Sequence, residues 1–103
     1  MKVEWMPAAE EDRLCIWTYI AAEDVGAAVR MDERFRDASE QLAMFPRSGP
    51  RGIVRGTREL VPHANYRLVY EIKSGVVRIL SLVHVSRQWP SNESAFPTTS
   101  GAR

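Results

Sequence analysis

The sequence predicts an α+β fold in which a helical hairpin covers one face of an antiparallel sheet. Three observations carry this reading. Apolar residues recur at three- and four-residue steps between Ala8 and Phe45, the period of amphipathic helices. Three strand-like runs follow between Ile53 and Val85, separated by short turns. A short alternating segment precedes the helices. The element order is therefore β-α-α-β-β-β, and helices followed by a strand meander make an α+β domain.

Lys2 to Met6 reads as the first strand, with Val3 and Trp5 on one side. Pro7 stands where helices favour proline. From Ala8 to Ala22, Leu14, Trp17 and Ala21 form an apolar stripe, with Ile16 and Ile20 beside it. Trp5 and Trp17 are expected in the core. Glu10, Glu11 and Asp12 occupy the first turns, where negative charge favours the helix dipole. Glu23-Asp24 breaks the run, and Asp24 can cap a second helix. The stripe of that helix is Ala28, Met31, Phe35, Ala38, Leu42 and Phe45, and Pro46 stops it. Two amphipathic helices joined by a two-residue break predict an antiparallel hairpin.

Pro46 to Gly52 is a basic loop bounded by punctuating residues. Ile53–Val61, interrupted by Gly56, is the second strand, Tyr66–Ile72 the third and Val76–Val85 the fourth. Pro62 to Asn65 is one turn, and Lys73-Ser74-Gly75 a tight hairpin connection. The first strand must join an edge of the meander, and the pattern does not say which. The domain spans residues 1–90. The Ser/Thr/Pro/Gly-rich stretch 91–103 reads as a flexible tail.

At 103 residues, 45% hydrophobic and 26% charged, the chain has the size and composition of one ordinary globular domain. No apolar run approaches the roughly 18–20 residues of a membrane span. The N-terminus lacks an apolar signal core, so a cytoplasmic protein with no membrane partner is expected. Cys15, the single cysteine, can form neither an internal disulfide nor a zinc site. Metal-ligand spacings, a P-loop and GxGxxG are all absent, so no metal or cofactor is expected.

Charge is divided unevenly. Residues 1–46 carry five basic and ten acidic side chains; residues 47–87 carry eight basic and two acidic. Seven of those eight cations are arginines, whose planar fork suits phosphate or carboxylate. Arg55 and Arg58 fall on the second strand, three apart and so on opposite faces. Arg67 and Arg78 lie within apolar strands and must find partners or an open face. Arg67 either pairs with Glu59 or Glu71 across the strands or contributes to a basic patch; pairing is the simpler reading for Arg78. His84 and Arg87 end the last strand, ahead of Trp89-Pro90. His84 is either a general base for RNA cleavage or a hydrogen-bonding anchor of the strand end, with Trp89 capping the core. His63 is a surface turn residue. Cys15 has no histidine nearby in sequence to activate it.

Several segments together resemble the RelE/ParE superfamily of bacterial toxins. They are Gly56–Val61, Tyr66–Tyr70, Val76–His84 and Arg87-Gln-Trp-Pro90, with Trp5-Met-Pro-Ala-Ala9, Trp17-x-Tyr19-Ile20 and Phe45-Pro46 upstream. The resemblance covers roughly residues 3–90. It implies the toxin of a type II toxin–antitoxin pair, encoded beside a small antitoxin protein that binds and neutralises it. RelE-like members cleave mRNA on the ribosome with basic sheet residues and often a C-terminal Tyr or His. ParE-like members inhibit DNA gyrase and are not nucleases. Arg67 falls where the superfamily's sheet arginine sits. Where many RelE-like nucleases end in tyrosine this chain has Trp89, whose indole is no acid or base at neutral pH. Its only lysines are Lys2 and Lys73. The resemblance thus favours a ParE-like toxin with Arg55, Arg58, Arg67, Arg87 and Trp89 as target- or phosphate-binding residues. The alternative is a ribosome-dependent mRNA endonuclease using Arg67, His84 and Arg87.

Overall fold

The computed structural model describes residues 1–87 and 89–90. Its elements are β1 (Lys2–Trp5), α1 (Pro7–Ala21), α2 (Val25–Met44), β2 (Thr57–His63), β3 (Tyr66–Lys73) and β4 (Val76–His84). The expected order is present. The tail, 91–103, lies outside the described residues.

The sheet order is β1-β4-β3-β2. β2, β3 and β4 form the expected antiparallel meander. β1 joins it on the β4 edge and runs parallel to β4, pairing Lys2 with Val76 and Trp5 with Ile79. The sheet is therefore mixed. A parallel neighbour needs a long crossover, and the two helices are part of the connection that provides it.

Pro7 opens α1, and the Asp24 carboxylate accepts from Ala27 N at 3.1 Å to cap α2. α2 buries Ala28, Phe35, Ala38 and Leu42, spaced as one helical stripe. They meet Leu68, Tyr70, Val77, Ile79 and Leu82 of the sheet. Phe45, expected to close this stripe, follows the helix as its C-cap and is exposed.

α1 departs from its predicted stripe. Leu14 is 63% exposed, and only Ala9 of this helix is fully buried. Ile16 packs against the core, while Trp5 and Trp17 are half-buried. Polar contacts do much of the docking of α1. Its Arg13 pairs bidentately with Asp32 of α2 and lies 4.7 Å from the Trp5 ring centroid.

β4 is nine residues long and β1 only four. Past Ile79 the outer edge of β4 has no strand beside it. A bulge there leaves Leu80 as the extra residue, since Val69 pairs with Ser81 and Tyr70 with Ile79. Asp12 of α1 fills the gap. Its Oδ2 accepts from Ser81 Oγ at 2.8 Å and from Leu82 N at 3.1 Å. Asp12 therefore does more than favour the helix dipole.

β2 starts at Thr57 rather than Ile53. Residues 50–52 turn back beside it: Glu59 N donates to Pro50 O, Gly52 N to Thr57 O, and Arg51 bridges Arg58. This covers the first half of an edge strand that would otherwise be open. Pro62, in the second half, has no N–H to offer a foreign strand.

Candidate functional site

The helices occupy one sheet face, so the arginines are decided by strand alternation and by the segments folded over the other face. Tyr66 lies on the helix face, its ring 5.8 Å from that of Phe35 in an edge-to-face contact. His84, directly opposite Tyr66 on β4, shares that side and meets its ring edge-to-face at 5.5 Å. Arg67, the next residue along β3, points the other way.

Arg67 is almost enclosed. Its Nη1 donates to Glu59 Oε1 at 3.0 Å, and the two side chains are only 13% and 16% exposed. Its Nη2 donates to the backbone carbonyl of Arg87. Cross-strand pairing with Glu59, one of the two readings left open by the sequence, is what the geometry contains. Arg67 Nε and Glu59 Oε2 are buried without a hydrogen-bond partner among the described residues. Such a pair tolerates loss of either member badly, because the other would stay buried and charged.

Arg58 is a second strut. Its Nη1 donates to Gly49 O at 2.8 Å and, more weakly, to Arg47 O at 3.4 Å, clamping the basic loop. Tyr70 supports the same loop from the core. Its hydroxyl donates to Pro46 O at 2.7 Å and accepts from Gly49 N at 3.1 Å. Gly49 is required there: a Cβ would come within 2.7 Å of Glu59 O. Arg55 lies in the turn before β2 instead of on the strand, and is exposed.

Arg78 lies on β4 between Glu4 of β1 and Glu71 of β3 in the strand register. No ion pair joins it to either acid among the described residues, and its Nε is buried without a partner. His84 Nδ1 is 2.8 Å from Ser86 Oγ and also accepts from Ser86 N at 3.2 Å. These are the contacts of a strand-end anchor. Arg87 is exposed and Trp89 half-buried.

Arg67 and Arg87 are thus brought together through a backbone carbonyl, while His84 stands on the opposite side of the sheet from Arg67. Of the arginines between residues 47 and 87, Arg47, Arg51, Arg55 and Arg87 are exposed. Among the described residues no group of three His, Cys, Asp or Glu is placed to hold a metal ion, and no helix is long and apolar enough to cross a membrane. The cross-fold contacts of Asp12 and Tyr70 were not read from the sequence. An acid near the start of a helix and a strand tyrosine carry no local signal of a contact made across the fold.

The chain is similar to known proteins in sequence and in fold. The family model of the ParE toxin of the type II toxin–antitoxin system parDE matches residues 3–89. Y4kP of Sinorhizobium fredii is 41% identical over 76 residues, covering 73% of this chain and 78% of that protein. Toxin RelE2 of Caulobacter vibrioides is 34% identical over 86 residues, covering 84% and 97%. In fold the chain is similar to a solved structure of the chromosomal ParDE TA system from P. aeruginosa. The TM-score is 0.71 at 19% identity, covering 82% of this chain and 96% of that one. The chain therefore belongs to the ParE toxin family of the RelE/ParE superfamily, and is the toxin of a type II toxin–antitoxin system.

Proposed function

We propose that this toxin arrests growth in the cytoplasm by binding and inhibiting DNA gyrase, and that a cognate antitoxin neutralises it. The observation that carries the gyrase reading is the separation of His84 from Arg67 on opposite sides of the sheet. A nuclease needs its proton-transferring group and its phosphate-binding cations converging on one scissile bond. Here the histidine is turned toward Tyr66 and Ser86. Trp89 stands where a tyrosine would serve a RelE-like nuclease, and its indole cannot exchange a proton at neutral pH. An inhibitor that works through a surface has no need of such a base. Exposed Arg55 and Arg87 with half-buried Trp89 are the contacts this reading assigns to the target, an arginine-and-aromatic mixture of the kind enriched in interface anchors.

The second reading, a ribosome-dependent mRNA endonuclease, is favoured by one observation, the 34% identity to a protein named toxin RelE2. Induction of the wild-type chain separates the two. Filamentation with a DNA-damage response, and supercoiling inhibited in vitro by the purified chain, are expected. Rapid mRNA cleavage phased to codons in the ribosomal A site, with supercoiling unaffected, would transfer the function to the second reading. Co-expression of the small protein encoded next to the toxin gene should restore growth.

A further inference from the structure

Arg67 has been assigned no direct task by its surroundings except holding two other groups. Its side chain is enclosed, one nitrogen is committed to Glu59, and another to the Arg87 carbonyl. Glu59 is itself fixed, since its backbone N donates to Pro50 O at 2.9 Å and a Cβ on Gly52 would lie 3.2 Å from its Oε2. The carboxylate is thus sandwiched between the basic loop and the guanidinium. Beyond β4 the chain is turned by Val85 N donating to Asn65 O and Arg87 N to His84 O, both at 2.9 Å. The Arg67 contact holds the carbonyl of Arg87 itself, two residues before Trp89. A terminal segment held this way has already lost the freedom that binding would otherwise have to remove.

We propose that Arg67 is a positioning residue: through the Glu59–Arg67–Arg87 carbonyl chain it holds the main chain from which the Arg87 side chain and Trp89 meet the target. The inference rests on the reading above that Arg87 and Trp89 meet the target, and it removes Arg67 from the contact set. The fork geometry is essential. A lysine at 67 keeps the charge opposite Glu59, yet a single ammonium on a flexible stem cannot hold both acceptors in the same directions.

Two measurements test it, both on the full chain. The first is limited trypsinolysis followed by mass spectrometry. Cleavage after Arg87 needs its carbonyl released, so Arg67→Lys, which keeps a charge opposite Glu59, should be cut there at least about tenfold faster than wild type. Cleavage after Arg47 and Arg55 should stay unchanged. An unchanged rate at Arg87, or equal acceleration at every site, overturns the proposal. The second is a double-mutant cycle on the inducer dose that arrests growth, using Arg67→Lys, Arg87→Ala and their combination. A positioning role predicts that the double variant loses less than the sum of the two single losses, because part of what Arg67 contributes acts through the Arg87 side chain. Additive losses would make Arg67 an independent contact, and undiminished toxicity in either single variant would equally defeat the proposal. Neither readout depends on which macromolecule is poisoned, so failure of the gyrase reading leaves both measurements interpretable.

Discussion

The Tyr70 hydroxyl, at the end of a fully buried side chain, donates to Pro46 O at 2.7 Å and accepts from Gly49 N at 3.1 Å. One core tyrosine therefore fixes both ends of the turn that leaves α2 and carries Arg47. Tyr70→Phe keeps the ring and leaves a buried amide and carbonyl without their partner. The expected cost is about 1–3 kcal/mol in urea denaturation. Trypsin should also cut faster after Arg47 than in the wild type, while the rate after Arg30 in α2 is unchanged.

Asp12 makes a second cross-fold contact, to Ser81 Oγ and Leu82 N where β4 outruns β1. Asp12→Ala removes both acceptor bonds and should destabilise the chain by about 1–3 kcal/mol. For a domain near this size each kcal/mol lowers Tm by roughly 4–8 °C. Asp12→Asn retains an acceptor oxygen and should lose less. Equal losses in the two variants would mean that charge, rather than the pair of hydrogen bonds, is what matters at this position.

What the sequence made legible is whatever was encoded locally. Pro7, Asp24, Pro46 and Ser74-Gly75 punctuate the chain where the elements begin and end. The stripe of α2 was readable because one residue in three or four faces a continuous sheet. The parallel docking of β1 was not, because no residue pattern in a four-residue strand distinguishes one edge from the other. Leu14 misled for a related reason: periodicity finds an apolar stripe, but Arg13 and Asp12 set how α1 is rotated. In the candidate site, Glu59 was among the possible partners of Arg67, since strand pairing was already implied. The separation of Arg67 from His84 needed the register, which places His84 opposite Tyr66 and not opposite Arg67.

That rotation of α1 has a measurable consequence. Leu42→Ala empties a fully buried position and should cost about 2–5 kcal/mol. Leu14→Ala touches a largely exposed side chain and should stay within about 0.5 kcal/mol. Chemical denaturation of the two variants side by side checks this. A comparable loss at Leu14 would mean that the α1 stripe is covered in solution.

The β3–β4 hairpin closes through Ser74 and Gly75, both at positive φ, 55° and 75°. Two positive values in a two-residue loop are the requirement of a type I′ turn, where Asn-Gly is preferred. Ser74→Asn should therefore raise Tm by a few degrees. Gly75→Ala, placing a Cβ at φ +75°, should lower stability by roughly 1 kcal/mol. A differential scanning calorimetry comparison decides it, and the prediction fails if the two substitutions shift Tm in the same direction.

The sharpest functional prediction concerns His84. Its ring contacts are the edge of Tyr66 and the Ser86 hydroxyl and amide, all within the turn that ends β4. His84→Ala removes a local turn bond at an exposed position, which should cost on the order of 1 kcal/mol and leave the fold intact. If the residue only shapes this turn, growth arrest by the variant should need little more inducer than the wild type. A general base would behave differently: its removal lowers a proton-transfer rate by roughly a hundredfold or more. The two expectations are far enough apart for a plating assay across an inducer series, with stability checked in parallel by thermal melting. His84→Gln offers a control, because its amide can still bond to Ser86 but cannot act as a base at neutral pH. Toxicity lost in both variants, with melting unchanged, would make His84 catalytic and require Arg67 and His84 to act on RNA from opposite sides of the sheet. Toxicity kept in both is the expected result, and it follows from a strand register that turns this histidine away from the arginines.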